Sequence, residues 1–283
     1  MSIVTLTSIL ADAKRRGYAV GAFNMLSLET VRGAIQAAEE KNSPIILQLA
    51  EVHTPVAPLE YMAPIMLEAA RSAKIPVAVH FDHASSYESI AKAIKYGFSS
   101  VMFDGASKPF SENVRLTKKI VKMAHSMGVT VEAELGQVGS LEDGSEEIEA
   151  SLTDINEAIE FIKVTQVDAL AISIGNLHGE YRQSPKLRFD LLNNINKSVE
   201  TPLVLHGGSG ISPEDFKKTI KNGMTKVNIA TAIQLSVTKH VKCEIERMNN
   251  DINYFSIMDA IMEGTCEAVK EHMDIFGSTG KCF

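Results

Sequence analysis

Three cysteines, Cys243, Cys266 and Cys282, are all that the 283 residues contain, and no two of them have C-x-x-C spacing. An odd, scattered set excludes a disulfide framework and a thiolate metal site, and a reducing, cytoplasmic location is expected. Long apolar runs are also missing: none approaches the roughly 20 residues that a membrane-crossing helix needs. The start, Met1 to Leu6, has no basic region leading into a long apolar stretch, so neither export nor membrane insertion is expected. Positive charge is scattered rather than clustered. A net charge of −7 with Lys and Arg dispersed along the chain offers no general attraction to nucleic acid or an anionic membrane. Any phosphate must therefore be bound locally.

What the chain does contain is alternation. Short apolar runs exchange with longer amphipathic stretches from end to end, the pattern of strand-then-helix units around a parallel sheet. Eight strands are expected, near 18–23, 44–50, 76–82, 99–104, 129–134, 168–174, 202–206 and 226–229. Helical spacing of apolar residues marks 28–41, 61–74, 88–96, 112–127 and 155–164. The expected fold is α/β, a (β/α)8 barrel forming one domain over 1–283, with additional C-terminal helices from about 231 to 283. Two segments depart from the repeat. The acidic, glycine-rich stretch 135–151 is expected to be a mobile loop, either a solvated linker or a functional lid. The helical stretch from Thr231 to Phe276 exceeds what one barrel helix requires, and the surplus caps the barrel or embraces a second subunit.

In such barrels the active site lies at the carboxyl ends of the strands, and here those ends are polar. Asp82 and His83 end the third strand, Asp104 the fourth, Glu134 the fifth and Asn228 the eighth, while His178 closely follows the sixth and His206 ends the seventh. Three histidines from three strands form a set that leaves zinc an open fourth position, the mark of a catalytic rather than a structural site. Asp82 shares a face with His80, which is read as a structural donor. Glu134 contacts the metal or orients a ligand, and Glu132 is a buried, paired carboxylate instead. His125, His240 and His272 lie on helical patterns and are expected to be solvated. His53 is left open between substrate contact and loop surface. Asn24, at the end of the first strand, joins the candidate substrate contacts.

A phosphate site is legible separately. His206-Gly207-Gly208-Ser209-Gly210 places small residues between a strand and a helix whose start Ser212 marks, so backbone N–H groups can gather around an anion. The loop after the eighth strand, Asn228-Ile229-Ala230-Thr231, leads into another helix start, and barrels often bind phosphate with these two loops together.

These residues resemble the class II fructose- and tagatose-bisphosphate aldolase family: HFDH at 80–83, VEAELGQVG at 131–139, AISIGNLHG at 171–179, PLVLHGGSGI at 202–211 and KVNIAT at 226–231. The resemblance spans nearly the whole chain. It implies reversible cleavage of a ketose 1-phosphate or 1,6-bisphosphate to dihydroxyacetone phosphate and an aldehyde, through an enediolate whose charge zinc holds. It implies His83, His178 and His206 as zinc ligands, with Glu134 and Asp104 as alternative or second-site contacts. Asp82 would be the acid/base on the aldehyde-side oxygen, and Glu142 would move the proton at the nucleophilic carbon. Gly179, Gly207, Gly208, Ser209, Asn228, Ala230 and Thr231 would surround the dihydroxyacetone phosphate half, aided by a monovalent cation, Na+ or K+. A homodimer or homotetramer is expected.

Ala230 stands where fructose-specific relatives typically carry an aspartate that reads sugar stereochemistry, so the chain resembles the tagatose-type and atypical branches. The family's DPR-like segment before the last helix has no counterpart in 251–256. Competing readings are a metal-dependent barrel hydrolase and a noncatalytic sugar-phosphate-binding barrel. The first lacks H-x-H on the first strand, Gly21-Ala22-Phe23-Asn24, and intact Asp82 and Glu142 count against the second. A Schiff-base aldolase is disfavoured because Lys226, the only lysine within the expected strands, sits at a strand start.

Overall fold

A computed structural model describes residues 3–140, 151–179, 185–249 and 253–282. Eight parallel strands close into a barrel: β1 (Val20–Asn24), β2 (Ile45–Ala50), β3 (Val77–Ala84), β4 (Ser100–Phe103), β5 (Thr130–Leu135), β6 (Ala169–Ile172), β7 (Leu203–Leu205) and β8 (Met224–Ile229). β1 pairs with β2 on one side and with β8 on the other, with Val20 opposite Lys226 and Ala22 opposite Ile46, and this double pairing closes the ring. Strands buried on both faces read as continuous apolar runs, as in Ile45-Ile46-Leu47.

The helices are α1 (Leu6–Arg16), α2 (Leu28–Lys41), α3 (Leu59–Ser72), α4 (Tyr87–Tyr96), α5 (Phe110–Ser126), α6 (Ile155–Thr165), α7 (Phe189–Ser198), α8 (Pro213–Lys221), α9 (Thr231–Met248) and α10 (Tyr254–Phe276). Several begin where a side chain accepts from the first turn: Ser27, Ser86, Asp154 and Ser212 each cap a backbone N–H that has no helical partner. Gly17, Gly97 and Gly277 end α1, α4 and α10 in the left-handed conformation.

Two apolar cores result. The larger lies between the strands and the surrounding helices. The smaller joins interior-facing Val20, Ala22, Ile46, Ala78, Ala169, Ala171 and Val204 to Leu6, Ile9, Leu10 and Ala13 of α1. α1 therefore plugs the amino-terminal end of the barrel, a helix that the strand-then-helix repeat does not predict because it precedes the first strand. The polar chemistry is left at the opposite rim.

The long C-terminal stretch is two helices. α10 packs against α2, α8 and β1 and buries Val269, Met273 and Phe276. α9 is the surplus: of its residues only Ile233 is buried. The expectation that His272 is solvated is corrected. It is 9% exposed, and its ring lies edge-on to Phe23, Phe216 and Phe276, because it falls on the core-facing stripe of α10. His125 does reach solvent, 41% exposed and paired with Asp168, and half-buried His240 pairs with Glu267.

Candidate active site

Asp82 and His83 are consecutive, and on a regular strand consecutive side chains point to opposite faces. The β3–β4 register slips between Phe81 and Ala84, and His83 has φ 48°. This bulge turns both side chains into one cleft of about 390 Å³ at the carboxyl rim. His206 immediately follows β7. His178 arrives differently, on a two-residue strand, Leu177–His178, that pairs in parallel with Gly139–Ser140 outside the barrel. Gly207 runs beneath it with φ 63°, and a Cβ there would overlap the Leu177 carbonyl, so only glycine allows His178 to sit this low.

The three imidazoles are brought together. Ring centroids of His83 lie 4.5 Å from His206 and 5.0 Å from His178, and one nitrogen from each falls within 4.8 Å of the others. His83 Nδ1 lies 2.8 Å from Asp104 Oδ2, and His206 Nε2 lies 2.9 Å from Glu132 Oε1. Carboxylates only accept, so the ring hydrogens belong on those two nitrogens. His83 Nε2 and His206 Nδ1 then face each other at 2.8 Å. Two lone pairs at that distance repel unless a cation, proton or metal lies between them. Glu134 Oε2, buried and without a hydrogen-bond partner among the described residues, is 3.6 Å from His206 Nδ1. The donor set thus fits a divalent ion such as zinc.

The electrostatics agree. Burial opposes charge on His83, yet Asp82, the hydrogen bond to Asp104 and the field of Glu134 push its pKa up to about 10. Burial, then the charges of His83 and His206, pushes His178 down to about 3, leaving a neutral imidazole at pH 7. Burial and neighbouring Asp104 push Glu134 up to about 8. Carboxylates crowd a site that a cation relieves. Asp82, 2% exposed, is held well below the usual carboxylate range because His83, His80 and Lys226 outweigh its burial. Asn228 Nδ2 donates to both its oxygens at 3.3 and 3.2 Å, so it is an ionised, oriented base.

His83, Asp104 and Glu134 also converge within 4.8 Å, as do His80, Asp82 and Glu132. The second cluster already holds a cation: Lys226 Nζ is 2.8 Å from Glu132 Oε2. Glu132 is the paired, buried carboxylate that its position suggested, held down to about 2 despite burial, chiefly by Lys226 and His206. Lys226 does not start its strand; β8 begins at Met224, and the lysine points into the barrel interior, fully buried. Its ion pair leaves no free amine for a Schiff base.

Gly179, Gly207, Gly208, Ser209, Ala230 and Thr231 line the same cleft. α9 starts there: Ala230 has no capping side chain, Ala232 N–H is taken by Ser209 and Ile233 N–H by Ala230 O, so Thr231 N–H and the helix dipole are what the start of α9 offers the cleft. The run of open donors expected of the glycine loop is shorter than its sequence suggests: Gly208 N–H donates to Asn228 O at 3.2 Å. Ser209 Oγ accepts from Ala232 N at 3.0 Å and ties the two loops together. Asn24 also lines the cleft and accepts from Gln48 Nε2. Gln48 was missed, although one amide inside the apolar run Ile45-Ile46-Leu47-Gln48-Leu49 is a signal. His53, half-buried on a short 3-10 turn, borders the cleft with Ser85, Ser107 and Gln137, and these short polar loop residues carry no periodic signal. Glu142 lies outside the described residues, as does most of the stretch expected to be a loop; its flanks are held by pairing of Gln137 with Ser151.

A rim cleft of this construction belongs to metal-dependent (β/α)8 enzymes. The model of the family "Fructose-bisphosphate aldolase class-II" matches residues 4–281. The probable fructose-bisphosphate aldolase of Bacillus subtilis is 40% identical, covering 99% of this chain and 100% of that protein. The sulfofructosephosphate aldolase of Alkalicoccus urumqiensis is 37% identical, covering 99% of each. The crystal structure of the YdjI aldolase from Escherichia coli K12 superposes with a TM-score of 0.88 at 33% identity, covering 99% of this chain and 100% of that one. The chain belongs to the class II fructose-bisphosphate aldolase family, zinc-dependent aldehyde-lyases.

Proposed function

We propose that the protein reversibly cleaves a ketose 1-phosphate or 1,6-bisphosphate, of the tagatose or fructose bisphosphate type, to dihydroxyacetone phosphate and an aldehyde. The observation that carries this reading is the placement of His83, His178 and His206 beside ionised Asp82, in one cleft with the start of α9. His83, His178 and His206 would hold zinc, with Glu134 and Asp104 as alternative contacts. When bound, zinc supplies Lewis acidity for the negative charge that develops as the carbon–carbon bond breaks.

Asp82 takes the proton from the hydroxyl whose carbon becomes the aldehyde, and returns it in the condensation direction. Asn228 keeps its carboxylate aimed. The phosphate docks on the backbone of Gly179, Gly207 and Ser209 and the start of α9 at Ala230 and Thr231, with Na+ or K+ offsetting its charge. Gly208 lends its shape rather than its N–H. Asn24 holds the substrate from the β1 side. Glu142 is proposed as the group that moves the proton at the nucleophilic carbon. The protein works in the cytoplasm as a homodimer or homotetramer; exposed Leu235 and Ile245 on α9 and Tyr254 and Phe255 on α10 support an interface there.

The test is condensation of dihydroxyacetone phosphate with a panel of aldehydes, with and without chelator. Turnover that a chelator abolishes and zinc restores is expected. Full turnover by metal-free protein, or substrate trapped covalently by borohydride, overturns the reading. Sedimentation checks the assembly, and a monomer at micromolar concentration would refute it.

A further inference from the structure

Lys226 and Glu132 take no part in the steps above, yet both are fully buried beneath the cleft. Buried ion pairs are expensive in desolvation, and apolar residues of similar volume often serve stability as well or better. Besides His80 Nε2, 3.8 Å from Glu132 Oε2, the pair has a contact that stability does not require: Glu132 Oε1 lies 2.9 Å from His206 Nε2. We propose that the Lys226–Glu132 pair is a positioning device for the metal centre, fixing the hydrogen of His206 on Nε2 so that the Nδ1 lone pair faces the cleft. The inference rests on the metal reading of the three histidines.

The geometry makes the choice of tautomer one-sided. Lys226 Nζ reaches both oxygens of Glu132, at 2.8 Å to Oε2 and 3.1 Å to Oε1, and pins the carboxylate. An ionised carboxylate can only accept, so His206 must bring a hydrogen to it. The competing tautomer has a ready partner. Asn228 Nδ2 lies 3.3 Å from His206 Nε2 and would donate to that nitrogen if it were bare. The hydrogen would then sit on Nδ1, aimed at His83 Nε2 2.8 Å away, and His206 could no longer offer a lone pair to the cleft. With Glu132 in place, Asn228 spends its amide hydrogens on Asp82 instead. One buried salt bridge therefore serves both the ligand and the base. Glu132 is a positioning residue rather than a catalytic one, because it reaches reacting atoms only through His206.

The experiment titrates apo-protein with Co2+ and reads both affinity, by chelator competition, and the visible d–d absorption. E132L/K226M removes acceptor and counter-ion together and leaves no unpaired charge. Its affinity is expected to fall about 10- to 100-fold, the usual cost of losing such a partner, with a displaced d–d band. E132Q/K226M keeps an amide oxygen that still accepts from His206 and is expected to recover about tenfold of that loss, a rescue that a packing role would not produce. Wild-type affinity and an unchanged band in E132L/K226M overturn the inference alone. If that variant does not fold, E132M/K226M, which also removes acceptor and counter-ion together, decides the matter by the same two readouts. Wild-type Co2+ binding that survives His178→Ala overturns the metal reading, and the positioning role with it.

Discussion

Replacing Asp82 by Asn changes one atom in a carboxylate that is 2% exposed. The amide keeps the shape, and Asn228 Nδ2, now 3.3 and 3.2 Å from the two oxygens, still finds one acceptor. Asp82 Oδ2 is 3.9 Å from His83 Nε2, beyond hydrogen-bonding range, so the cluster His83, His178 and His206 does not depend on it for its geometry. The fold and the metal-binding nitrogens should therefore survive. What is lost is a base whose charge three neighbouring cationic or donor groups keep in place. A positioned acid or base is worth about 10²- to 10⁴-fold, and at 1.36 kcal/mol per decade this is about 2.7–5.4 kcal/mol of barrier. The assay is the release of dihydroxyacetone phosphate from the best ketose phosphate of the panel, with metal content measured on the same sample. We expect kcat to fall by that factor and KM to move less than about threefold, because the phosphate wall is untouched. Exchange of the carbon-bound proton of dihydroxyacetone phosphate into D2O should continue, since it needs no aldehyde. A metal-loaded D82N enzyme that keeps kcat within tenfold of wild type would refute the assignment.

The complementary variant is Glu142→Ala, expected to slow that same exchange; a wild-type exchange rate would remove Glu142 from the carbon-base role. Gly207→Ala puts a side chain into the Leu177 carbonyl at a left-handed φ, itself costing about 1–2 kcal/mol, so metal affinity should fall at least tenfold while far-ultraviolet circular dichroism stays unchanged. His272 is held below its ordinary pKa of 6.5 mainly by burial. The unfolded chain therefore takes up that proton first. The stability linked to it is complete above about pH 6.5 and declines below, at up to about 1.4 kcal/mol per pH unit. The difference in stability between wild type and His272→Phe across pH 5–8 should isolate this slope, and parallel profiles would refute it.

The strand-then-helix alternation announces the barrel because most strands are short runs rich in apolar residues and the helices around them carry one apolar stripe, patterns set by neighbours in sequence. The candidate ligands are legible for a related reason. Residues at strand ends share one rim by topology, so His83, Asp104, Glu134, His206 and Asn228 can be placed together before any distance is known. α1 escapes the pattern because it fits no repeat. His272 misleads because helical spacing reports a stripe without saying which residue type occupies the buried side.

Fold class, the rim that carries the chemistry and the residue types available there can all be read along the chain, since these follow from local periodicity and from the fixed direction of a parallel barrel. Which atoms meet is a matter of long-range packing. The bulge at 82–83 lets two consecutive side chains face one cleft, and the short strand laid over Gly207 lowers His178 to the others. The Lys226–Glu132 pair selects the donor nitrogen of His206. Each depends on contacts between residues tens of positions apart, whose register and tautomer arise from packing and electrostatics across the barrel and leave no periodic trace along the chain.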